Sequence, residues 1–81
     1  MQHYTHQMTQ LSVLMEEAIQ IAWDYLERSG NIEDGDFCGG VLADSIETMI
    51  RQGVRNRLVL ANRAIEHYLR ALGPRTLRAA S

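Results

Sequence analysis

The chain has no lysine, a single cysteine and a single proline in 81 residues. A lone cysteine excludes an internal disulfide framework and any zinc fold built on a cysteine cluster. One proline and six glycines exclude collagen-like and low-complexity chains. Long apolar runs are missing as well. Leu58 to Ala61 is among the longest, far below the roughly 20 residues that span a bilayer. The first ten residues, MQHYTHQMTQ, contain no lysine or arginine and no apolar centre, so no secretory signal is read there. A soluble protein of a reducing compartment is expected, with the cytoplasm as its location, and the single Cys38 agrees with this.

Charge is distributed unevenly. All eight basic residues are arginines, against ten acids. Residues 1–50 hold one base, Arg28, and nine acids, a net of −8. Residues 51–81 hold seven arginines and one acid, Glu66, a net of +6. Such a division fits either two halves that pack beside each other with complementary charge or an Arg-rich surface for an acidic partner.

Hydrophobic residues make up 46 %, enough for a folded core, and the length limits the chain to one small domain. No segment alternates strictly between apolar and polar residues. Three segments instead repeat at three- and four-residue intervals, the helix period. In the first, Leu11, Leu14, Met15, Ala18, Ile19, Ala22, Tyr25 and Leu26 lie opposite Glu16, Glu17, Gln20, Asp24 and Glu27. Thr9 is an acceptable N-cap, but Tyr4, Met8, Leu11 and Met15 keep the spacing and permit a helix back to about His3. Ser29-Gly30 ends it, glycine supplying the left-handed cap. Residues 29–40 form an irregular, acidic, glycine-containing stretch, with Asp36 as the expected N-cap of the second helix. Its apolar side is Val41, Leu42, Ile46, Met49 and Ile50. Gly53 reads as its C-cap and Asn56 as the next N-cap. In the third helix Leu58, Ala61, Ile65, Tyr68 and Leu72 form the stripe, flanked by Leu60, Ala64 and Leu69, and Gly73-Pro74 stops it.

The expected fold is therefore all-α: a small three-helix bundle with helices over about 9–28, 37–52 and 56–72. The domain covers 1–74, with residues 75–81 as a flexible tail. One alternative remains in the pattern. The phase Ile46, Ile50, Val54, Leu58, Ala61, Ile65 runs through Gly53, so helices two and three could be continuous, since a mid-helix glycine costs only about 1 kcal/mol.

Candidate chemistry is sparse. Met1-Gln2-His3 can wrap Cu(II) or Ni(II) through the amino terminus, and His6 lies near, but two histidines in a polar segment read more simply as solvated. No cofactor is implied. The acidic loop fails as a calcium site. With Gly35 in the glycine position, Gly30 and Ile32 fall where oxygen ligands belong; with Gly39 there, Cys38 and Ser45 do. Gly35, Gly39 and Gly40 precede a helix, but without a preceding strand or a Lys-Ser/Thr pair they match no phosphate-binding loop. Cys38 near a helix start could be acidified, yet Asp34 and Asp36 oppose that, and no histidine is spaced as its base. A non-catalytic protein is expected.

Two binding readings follow. In the first, the first helix carries apolar residues beyond one stripe, and Tyr4, Met8, Val13, Ile21 and Trp23 form a face for a second copy, as a homodimer, or for a partner helix. In the second, Arg55, Arg57, Arg63 and Arg70 contact nucleic acid. The third helix would then serve as the recognition helix of a helix-turn-helix, but it opens Arg57-Leu58-Val59-Leu60-Ala61, too apolar to read base edges, and the whole chain is acidic.

Overall fold

The computed structural model describes residues 2–73, with side chains from Gln10 onward. It is a small all-α bundle of three helices: α1 (Gln2–Arg28), α2 (Gly35–Arg51) and α3 (Arg57–Leu72). Each helix packs on both others.

The two connections are built by the same device. At the end of α1, Gly30 takes φ 74°. Its N–H donates to the Glu27 carbonyl (3.1 Å), and the Asn31 N–H donates to that of Leu26 (2.9 Å). At the end of α2, Gly53 takes φ 101°. Its N–H donates to the Ile50 carbonyl (3.0 Å), and the Val54 N–H to that of Met49 (3.0 Å). These are paired Schellman closures, in which a left-handed glycine satisfies the last open carbonyls of the helix. The break at Gly53 separates α2 from α3, and the continuous-helix alternative is not adopted.

Each following helix is then capped. The Asp34 carboxylate accepts from the N–H groups of Asp36 (3.0 Å) and Phe37 (3.2 Å). Asp34 is thus the N-cap of α2, not Asp36, and α2 begins two residues earlier than the spacing suggests. Asp36 instead occupies the first turn, where a carboxylate favours the positive end of the helix dipole. The Asn56 side-chain oxygen accepts from Leu58 (2.9 Å) and Val59 (3.1 Å), which starts α3 as expected. The first helix begins at Gln2, the longer of the two starts.

The core consists of Ala18, Ala22 and Leu26 from α1, Cys38, Leu42, Ile46 and Met49 from α2, and Leu60, Ala61, Ala64, Tyr68 and Leu72 from α3. Alanines on α1 and α3 leave room for the larger α2 side chains and for the Tyr68 ring. The buried face of α3 differs from the expected stripe. Leu60 and Ala64 are fully buried, whereas Leu58 is 58 % exposed and Ile65 only partly covered. Tyr25 on α1 is likewise 53 % exposed. A helix that meets two neighbours buries an arc centred between them, and the flank of the apolar stripe stays outside.

Tyr68 joins the layers. Its ring is fully buried, and its O–H donates to the Asn31 carbonyl at 2.9 Å, fixing α3 to the α1–α2 connection. The Phe37 ring lies beside it, 6.1 Å between centroids and tilted by 49°, a common aromatic arrangement.

Candidate interaction surface

The register of the helices leaves part of α1 without a neighbour. Glu17 accepts a 3.0 Å bond from Arg57, the first residue of α3. Asn31 meets Tyr68 near the other end. So α3 runs beside the second half of α1. The α2–α3 connection reaches back slightly further, since Arg55 shares a groove of about 380 Å³ with Gln10, Leu11 and Leu14. From Gln10 to Gln2 the helix continues for nine more residues, a rise of about 13 Å.

The expected interface residues do not share one face. Val13 is 44 % exposed. Ile21 and Trp23 are partly buried and pack against the core. Two positions apart on a helix lie about 200° apart around its axis, so they flank the core stripe on opposite sides. Trp23 is tied to α2: a Cβ placed on Gly35 would lie 3.5 Å from the Trp23 ring. Tyr4 and Met8 have side chains outside those described, as do His3 and His6. Leu11 and Leu14, counted in the sequence with the core stripe, are both half-buried; Leu14 packs on the core.

The four arginines of the alternative reading are not gathered either. Arg55 donates to the carbonyls of Ile50 (2.7 Å) and Val54 (3.0 Å), finishing the end of α2. Arg57 is paired with Glu17. Arg63 and Arg70, two turns apart, share the outer side of α3, and neither forms an ion pair among the described residues. The acidic and basic halves of the chain thus meet in one inter-helix ion pair among those residues.

One polar contact has no signal in the sequence. His67 Nδ1 and Ser45 Oγ lie 3.0 Å apart, bridging α3 and α2. Asp44, Thr48 and Arg63 line the same groove. No carboxylate contacts the imidazole among the described residues, so the pair lacks the third group that orients a catalytic histidine. Only the antiparallel register of α2 and α3 brings these residues together, and neither segment shows it alone.

Cys38 is fully buried. Burial pushes its thiol above the ordinary value of 9.0, against a smaller pull from the Tyr68 hydroxyl beside it. The thiol therefore stays protonated here, because desolvation outweighs the Tyr68 hydrogen bond. Burial also raises Tyr68 above 10.0, with Cys38 adding to it. Among the described residues, no group of three or more His, Cys, Asp or Glu side chains could hold a metal ion, and no helix is long and apolar enough to cross a membrane.

The fold thus defines a class, the small all-α three-helix bundle. Comparison with protein-family models, with characterised proteins and with solved structures finds no match.

Proposed function

We propose that this chain is a small, non-catalytic interaction module whose N-terminal helix binds another protein surface. One observation carries the reading: α1 reaches beyond the point where Arg55 of the α2–α3 connection meets it, and Leu11 there, in phase with the core-facing stripe, is only half-buried. Apolar area left in water is worth about 25 cal/mol per Å² on burial, and contiguous patches of it mark binding surfaces. The protein is taken to act in the cytoplasm. A photoreactive amino acid placed at position 11 of the full chain tests the reading in cells. A discrete cross-linked protein adduct from position 11, without one from the exposed polar position Asp44, is the expected result; no adduct from position 11 overturns it.

Nucleic-acid binding is the rival reading, supported by Arg63 and Arg70, which lie two turns apart on α3 and form no ion pair among the described residues. It requires an affinity that falls steeply with salt, since each phosphate contact releases a counterion. Absence of binding to duplex and single-stranded DNA at low salt eliminates it.

A further inference from the structure

We infer that the occupant of the α1 surface is a second copy of this chain, the two α1 helices crossing antiparallel through their N-terminal halves. This rests on the interaction-module reading and names its partner. Three observations converge. First, nine residues of α1 lie beyond Leu11 and the α2–α3 connection, toward the N-terminus. A helical segment of that length is marginal in water without packing. Second, the spacing Tyr4, Met8, Leu11, Met15 continues in phase into Ala18, Ala22 and Leu26. The apolar spacing of the core-facing stripe therefore continues in the sequence past the point where Arg55 meets Gln10 and Leu11. Third, residues 1–15 contain no Asp, Glu, Lys or Arg, the longest such stretch in the chain.

The third observation selects the partner. In a two-fold contact each segment meets its own equivalent. A segment carrying Asp, Glu, Lys or Arg would there meet its own like charge; this one has none of these residues. Nor does it carry charge with which to attract and orient an acidic or basic partner. Charge also sets the direction. The acids of α1, Glu16, Glu17, Asp24 and Glu27, all lie in its second half. An antiparallel crossing carries these two acidic halves apart, whereas a parallel one would place them side by side.

Sedimentation equilibrium of the untagged full chain should show a dimer. Leu11→Glu and Leu11→Arg should each sediment as monomers that lose at most the helical signal of the first turns of α1 while the Trp23 emission stays unchanged, and an equimolar mixture of the two should restore a one-to-one dimer, visible by native mass spectrometry. A wild-type monomer throughout the micromolar range overturns the inference, as does failure of the mixture to reassociate. A wild-type monomer that still gives a position-11 adduct with a different protein overturns self-association and leaves the module reading standing. Absence of both dimer and adduct defeats both.

Discussion

Tyr68 and Cys38 show how a buried polar pair sets a chemical limit on this small core. Both side chains are fully buried, and burial holds both acids in their neutral forms. Their native pKa values are raised, so the folded protein keeps protons that the unfolded chain releases at alkaline pH. That contribution to stability is intact below the ordinary thiol value of 9.0, begins to fall as pH passes it, and falls further past the phenol value of 10.0. The urea midpoint should therefore drop between about pH 7 and about pH 10, and should drop less in Cys38→Ala, compared with its own value at neutral pH. A midpoint that falls equally in both proteins would remove Cys38 from this account. Position 38 also illustrates how little a local motif determines reactivity. In the sequence the nearby Asp34 and Asp36 already argue against a thiolate at Cys38, whereas the leading cause in the structure is burial in the core.

The helices owe their limits to single residues, and those limits were largely legible. Gly30, Gly53 and Gly73 read as stops, and all three take positive φ. Gly53 has no atom within 4 Å of where a Cβ would stand, so a side chain there meets backbone strain alone. Gly53→Ala should cost about 1–2 kcal/mol, lowering Tm by roughly 5–15 °C without gain of helix content. A rise in both helicity and Tm would mean that alanine fuses α2 to α3 along the apolar phase that passes through the connection. The start of α2 was less legible, because Asp34 and Asp36 are equally good caps in isolation. Only the register that places Cys38, Leu42 and Ile46 inward chooses between them. The buried face of α3 was misread for a related reason. Leu58 and Leu60 both fit a helical stripe, and the choice depends on where α1 and α2 stand around α3. Ile21 and Trp23, surplus to one stripe in the sequence, are partly buried and pack against the core, because α1 meets helices on two sides.

Taken as a whole, the molecule does not use its charge asymmetry as strong glue. An acidic first half and a basic second half meet through Glu17 and Arg57, whose side chains remain about half exposed. Exposed pairs of this kind contribute about 0.2–1 kcal/mol and are screened by salt. Glu17→Gln should thus lower Tm by no more than about 8 °C at low ionic strength, and by less in high salt. A larger loss would show that the pair fixes how α3 lies along α1. The bundle's cohesion rests on the apolar layer between the helices, and the chain carries its own optical probe of that layer. Its single tryptophan, Trp23, lies against Gly35 at the joint between α1 and α2, at the opposite end of the bundle from the uncovered part of α1. Its emission therefore reports on one joint alone. Opening of that joint shifts the fluorescence, while fraying at the far end of α1 is visible only in circular dichroism, so the two ends of the molecule can be followed separately without any label.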